Sequence, residues 1–193
     1  MTDERPRERA DAARNREAIL AATAALLAEH GADALTMDRV AAAAGVGKGT
    51  IFHRFGNRAG LLHEMIAEST FALMDTVRSG PPPLGPGAPA GERLLAFFDA
   101  FLRMMTDNIE VTVAYMQGPP HPRTAEIHEF WDAHITALLR EARPDLDAEV
   151  VGRLLLGALG GEQVPRLARA GETERLLTAV RQLVESVLRA PRS

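Results

Sequence analysis

The chain has no cysteine among its 193 residues. That excludes a disulfide framework, a thiolate metal site and a cysteine nucleophile. Aromatic residues make up only 5%, with one Trp and one Tyr, which is poor material for a β-sandwich core. No apolar run approaches the roughly 20 residues needed to span a membrane. The opening residues Asp3, Glu4, Arg5, Arg7, Glu8 and Arg9 are charged where a secretory leader would be apolar, so the expected compartment is the cytoplasm, with no membrane partner. Lysine is almost missing as well. Of twenty-two Lys and Arg residues, Lys48 alone is a lysine.

What remains is 46% hydrophobic and 25% charged, a balance that fits a helical protein with an Ala/Leu-rich core. The net charge of −4 argues against a nucleic-acid partner until it is divided along the chain. Residues 1–62 hold nine basic and eight acidic side chains, and residues 63–193 hold thirteen and eighteen. A slightly positive module therefore precedes an acidic body, which suits DNA binding if the bases share one surface. The expected domains are 1–62 and 63–193. A Pro/Gly loop at 79–91 interrupts the second, because Pro and Gly recur too often there for a helix or strand to survive.

The remaining periodicity is helical and the predicted fold is all-α. Residues 14–30 put Ile19, Ala22, Leu26 and Leu27 on one face, with Gly31 as a left-handed cap. Upstream of them, Arg5, Arg7, Arg9 and Arg14 alternate with Asp and Glu, which reads as a solvated, disordered tail. Thr36 suits the N-cap of a short helix with Val40, Ala41 and Ala44 inward, and Gly45 suits its end. Ala41 through Ala44 supply small residues for a steep helix crossing, and Gly47 suits the N-cap of the next helix. With Ile51 and Phe55 inward, one turn apart, Lys48, Thr50, His53 and Arg54 are left outward. Two short helices around a glycine corner describe a helix-turn-helix, whose second helix enters the DNA major groove. A lysine there is a flexible point charge for one phosphate oxygen, and the free N–H groups at the helix start favour the same anion.

Beyond the Pro/Gly loop, residues 92–106 carry a wide belt of Leu94, Leu95, Phe97, Phe98, Phe101, Leu102, Met104 and Met105. A broken segment around Tyr115 and Met116 precedes a helix over 124–143 with Ile127, Trp131, His134 and Leu138 on one stripe. Helices over 147–167 and 172–189 complete the pattern.

The stretch 16–62 resembles the N-terminal domain of the TetR family of transcriptional regulators. The resemblance lies in Ile19-Leu20-Ala21-Ala22, Leu26-Leu27, Glu29, Gly31, Leu35-Thr36-Met37, Val40-Ala41, Ala44-Gly45-Val46, Lys48-Gly49-Thr50-Ile51-Phe52, Phe55, Asn57-Arg58 and Leu61-Leu62. It implies an N-terminal three-helix helix-turn-helix domain followed by a larger helical ligand-binding and dimerisation domain. It also implies that Thr36 bonds a phosphate or caps, that Lys48 reaches the DNA backbone, and that Thr50 and His53 approach phosphate or base edges. Arg58, where the family usually has lysine, would steady the next helix and the DNA backbone. Gly47, Phe52 and Arg54 stand where the family usually has serine, tyrosine and histidine. The first two lack a phosphate-binding hydroxyl, while Arg54 has a fork suited to phosphate or guanine.

The resulting expectation is a ligand-responsive repressor that binds a palindromic double-stranded DNA operator as a homodimer. An apolar small-molecule effector would meet a belt of Phe97, Phe98, Phe101, Met104 and Met105 with Tyr115, Met116, Phe130 and Trp131, and Tyr115, His134 and Gln163 as polar contacts. Val151, Leu154, Leu155, Ala158 and Gly161, with Leu176, Val180, Leu183 and Val187, form belts wider than one neighbour can cover. They suit a four-helix interface between two copies. Competing readings are a helical enzyme or metal protein and an architectural DNA binder without an effector. His128, Glu129, Asp132 and His134 do not form His-Glu-x-x-His, and Lys48-Gly49-Thr50 lacks the strand and glycine spacing of a phosphate loop. Neither an enzyme nor a cofactor is expected.

Overall fold

The computed structural model describes residues 4–107, 109–117 and 123–189, all of whose regular elements are helices. In order these are α1 Glu4–His30, α2 Met37–Ala44, α3 Lys48–Phe55, α4 Arg58–Ser79, α5 Ala90–Asp107, α6 Ile109–Gln117, α7 Thr124–Ala142, α8 Ala148–Leu159, α9 Gln163–Arg169 and α10 Thr173–Leu188. The chain divides into two units between Ile66 and Ala67, inside α4.

In the first unit the apolar periodicity becomes a closed core. Ile19, Leu20, Leu27, Leu35, Val40, Ala41, Ile51, Phe55, Leu61 and Leu62 are all buried. Thr36 caps α2, its hydroxyl accepting from the Arg39 N–H at 3.3 Å. Gly45 ends α2 at φ 66°, and its N–H and that of Val46 return to the carbonyls of Ala42 and Ala41. A residue with a Cβ is strained at that φ, so the corner depends on glycine. Of the four alanines, only Ala41 is buried; Ala42 and Ala43 are exposed, so a single small residue serves the crossing. Asn57 starts α4, its side-chain oxygen accepting from the Gly60 N–H at 3.0 Å.

Three sequence expectations change. The segment expected as a disordered tail is helical from Glu4, and Asp11 and Arg14 pair one turn apart along it. Its Glu, Arg and Ala are strong helix formers and its proline, Pro6, falls in the first turn, where no backbone N–H is needed. The region expected to be broken around Tyr115 and Met116 is the helix α6. The helix expected over 147–167 is two helices, because the chain turns at Gly160-Gly161 between α8 and α9. Two adjacent glycines cost a helix about 1 kcal/mol each relative to alanine.

The second unit packs α5 against α7 and α10, and α7 against α8, with α6 and α9 in contact. One cluster runs through it, including Met74, Val77, Leu94, Phe97, Phe98, Leu102, Trp131, Ile135, Leu139, Leu155, Leu177 and Val184. Polar ties join its helices. Asp99 of α5 accepts from Arg181 of α10 at 3.0 Å and from Arg103 at 3.1 Å. Burial would raise the Asp99 pKa, but those two guanidinium groups outweigh it and hold the carboxyl below its ordinary value. Arg169 of α9 grips Glu110 of α6 through two bonds of 2.7 and 2.8 Å. Arg143 is buried, and it donates to the carbonyls of Val187 and Arg189, tying the end of α7 to the end of α10.

The left-handed corner yields a stability prediction. Gly45→Ala should lower the unfolding free energy by about 1 kcal/mol, read from urea denaturation, although a Cβ at Gly45 would meet nothing within 4 Å. An unchanged midpoint would mean that the turn tolerates a side chain.

Candidate nucleic-acid interface and the aromatic body

α3 is eight residues long, and two of them, Ile51 and Phe55, are buried. Because they lie one turn apart, the opposite arc must face water. Lys48, Gly49, Thr50, Phe52, His53 and Arg54 are accordingly exposed. Gly47 is the N-cap in extended conformation, with no side-chain cap bond. The sequence-predicted interface residues are thus brought onto one short helix, except Thr36 at the start of α2 and Arg58 at the start of α4.

The cations are not idle. Lys48 Nζ lies 2.5 Å from Asp38 Oδ2, in a pair more than half exposed on both sides. Such a pair contributes at most about 1 kcal/mol and weakens with salt. Arg54 donates to the Ala12 carbonyl of α1 at 2.8 Å. Arg58 donates to the Ala32 carbonyl at 2.8 Å. Arg16 pairs with Glu64 at 3.0 Å. Between α1 and α3 lies an open groove of about 800 Å³, lined by Ala12, Asn15, Arg16, Gly49, Thr50, His53, Arg54, Phe55 and Glu64. Asp38 lies in the first turn of α2, where its charge also complements the helix dipole. Its partner is ten positions away on another helix, so no local periodicity announces the pair.

In the second unit, α5 and α7 bring the expected aromatic residues into one cluster. Phe97 lies 5.1 Å from Trp131 and 5.4 Å from the His134 ring, centroid to centroid. Phe101 lies 5.8 Å from Trp131. Phe130, also expected in this belt, stacks on His134 at 6.1 Å and meets Trp131 edge-on at 4.8 Å. Met105 is buried in the same core. Trp131 Nε1, His134 Nε2 and Arg93 Nε are buried without a hydrogen-bond partner. Tyr115 and Met116 belong to α6, and their side chains lie outside the described residues. Gln163 is exposed and its amide oxygen accepts from Arg166 at 2.6 Å, so it is no buried polar group of the cluster.

On the outer side, Leu154 and Leu183 are 69% and 45% exposed, and Ala158 and Gly161 are exposed too. Val151, Val180 and Val187 are half-buried, whereas Leu155 and Leu176 are buried within the subunit. Asp132 pairs with Arg153 at 3.5 Å, and among the described residues no three His, Asp or Glu side chains are grouped to hold a metal. Among them, too, no helix is long and apolar enough to cross a membrane.

Residues 19–65 match the family of bacterial regulatory proteins, tetR family. The chain is similar in fold to a TetR transcription regulator from Haloarcula marismortui, at 22% identity over 90% of this chain and 96% of that one, with a TM-score of 0.68. It is similar to the TetR-family repressor FadR of Thermus thermophilus in complex with lauroyl-CoA, at 22% identity over 92% and 98%, TM-score 0.63. The likeness extends to FadR from Bacillus subtilis in complex with stearoyl-CoA, at 17% identity over 87% and 96%, TM-score 0.63. No match is found among curated proteins. At these identities the structural likeness is one of fold.

His134 yields a pH prediction. Burial and, next, the nearby Arg93 charge lower its pKa from 6.5 to about 4. Between those values the unfolded chain holds a proton that the folded chain refuses, so stability falls as pH drops from 6.5 to 4. His134→Phe should flatten the pH dependence of the urea midpoint in that window, by the linkage of up to one proton. An unchanged slope would show that His134 titrates as it does in water.

Proposed function

From a chain whose N-terminal domain is that of the bacterial regulatory proteins of the tetR family, on a body with the fold of such regulators, we infer a ligand-responsive DNA-binding transcriptional regulator. Its action is repression. It binds a palindromic operator as a homodimer, with two copies of α3 in successive major grooves about 34–36 Å apart. The observation that carries this reading is α3 itself: its apolar pair is spent on the core, and Lys48, Thr50, His53 and Arg54 all face outward.

The body supplies the signal. An effector that is mostly apolar and carries hydrogen-bond acceptors would suit Phe97, Phe101 and Trp131 and the unpartnered donors Trp131 Nε1 and Arg93 Nε. The acyl chains of the lauroyl-CoA and stearoyl-CoA in the two FadR complexes are apolar groups of that kind. Effector and operator affinities are then linked reciprocally, through a helix, α4, that carries residues of both units.

Selection of bound duplexes from a random pool, repeated with acyl-CoA present, tests the reading. A preferred palindrome released by ligand supports it, and no preferred sequence removes it. Within that assay, Lys48→Ala should weaken all duplexes alike and reduce the slope of log affinity against log salt by about 1. Asp38→Asn, which releases the lysine from its carboxylate, should strengthen all duplexes alike. Binding unaffected by either change would mean that Lys48 touches no phosphate.

The exposed apolar residues of α8 and α10 test the dimer. Leu154→Arg combined with Leu183→Glu should shift sedimentation to a single chain and weaken palindrome binding by about a hundredfold or more, through loss of the second half-site. A dimer surviving both charges would put the interface elsewhere.

A further inference from the structure

Phe52 is the one feature of α3 that phosphate binding leaves unexplained. It is 46% exposed, and the other large apolar side chains left exposed among the described residues, Val150, Leu154 and Leu183, all belong to the second unit. It is flanked by cations, since Lys48 lies one turn before it and Arg54 two residues after it. Three positions earlier is Gly49, where a Cβ would meet nothing within 4 Å. Residues three apart on a helix are neighbours, so bare backbone borders the Phe52 ring, and Gly49 also lines the open groove beside α1. An exposed glycine inside a helix opposes helix formation, and an exposed ring opposes solubility. Neither is repaid inside this subunit. An apolar wall, a shallow notch and a cationic rim together match the major-groove floor, where the 5-methyl of thymine is the apolar group on display.

Resting on the reading of the first unit as a DNA-binding domain, we propose that Phe52 and Gly49 form a thymine-reading notch, in which the 5-methyl group of one thymine per half-site lies against the ring over the bare backbone. Phe52 is then a specificity-determining residue, and its missing hydroxyl is an adaptation to a methyl group.

The test begins with the duplex that wild-type protein selects from a random pool. Each thymine is replaced singly by deoxyuridine, which keeps the pairing edge and loses the methyl, and affinity is read by fluorescence anisotropy at fixed salt. At one thymine per half-site the wild type should lose about fourfold, the size expected for one buried methyl. Phe52→Ala should bind thymine and deoxyuridine duplexes equally. Gly49→Ala should also lose the discrimination, yet raise the thermal midpoint, because alanine favours the helix. That opposite movement separates a blocked contact from a damaged fold. Wild-type indifference to deoxyuridine at every position, a selected site without thymine, or a fourfold preference retained in Phe52→Ala would overturn the notch. So would a change in sedimentation of free Phe52→Ala with thymine preference intact, which would assign the ring to a protein contact. Failure of the wild type to select any sequence is a separate result, since it removes the DNA-binding reading beneath the proposal.

Discussion

The burial of Ile51 and Phe55 is the contact on which the exposed face of α3, the proposed DNA interface, depends. A helix of eight residues has little stability of its own, because nucleation is costly and few backbone bonds follow it. α3 persists because those two side chains lock it into the core of the first unit, and Gly45 sets the direction from which it arrives. Both inward positions being taken, every other functional side chain of the helix is delivered to solvent without further instruction. The same economy makes the interface vulnerable, since loosening either anchor would rotate Lys48, Phe52 and His53 together.

The free subunit already provides oxygen partners for its cations. Lys48 has Asp38, Arg54 has the Ala12 carbonyl and Arg58 has the Ala32 carbonyl. A phosphate approaching α3 therefore exchanges one oxygen partner for another instead of capturing a fully hydrated charge. The net gain for each contact is smaller than bare charge counting suggests. In return, the side chains are held near the surface they must serve, and less rotamer freedom is lost on binding. Lysine and arginine divide this work according to their shapes. The single ammonium pairs with an exposed carboxylate that it can leave at little cost, while the planar guanidinium groups fix carbonyls that hold the unit together.

Much of the first unit was readable from the chain because its signals are local. Thr36 caps and Gly45 turns within a few residues of the sequence that requires them, and the Ile51–Phe55 spacing alone assigns the faces of α3. What escaped was non-local or balanced on weak terms. The Lys48–Asp38 pair spans two helices. The helical state of residues 4–13 depends on propensity, and its interleaved charges read equally as a solvated tail. The break between α8 and α9 was misread for a different reason: paired glycines serve both close helix packing and helix termination, and only the backbone path distinguishes the two. In the body, the ring cluster of Phe97, Phe101, Phe130 and Trp131 was visible as aromatic residues recurring along two helices, but the stacking of Phe130 on His134 was not, because it depends on how the two rings turn.

The body also shows how one composition serves two apolar tasks without confusing them. Aromatic residues are gathered inside, where Phe97, Phe101, Phe130 and Trp131 leave buried nitrogens with no partner. Aliphatic residues are left outside, where Leu154 and Leu183 remain exposed. An unpaired buried donor is costly and is relieved only by an acceptor delivered to it, which suits a small ligand. An exposed leucine face is relieved by any matching apolar surface, and a second copy related by a two-fold axis provides one at both faces at once. On the proposed reading of a dimeric repressor released by its ligand, separating the two demands would let ligand occupancy change without dissolving the dimer.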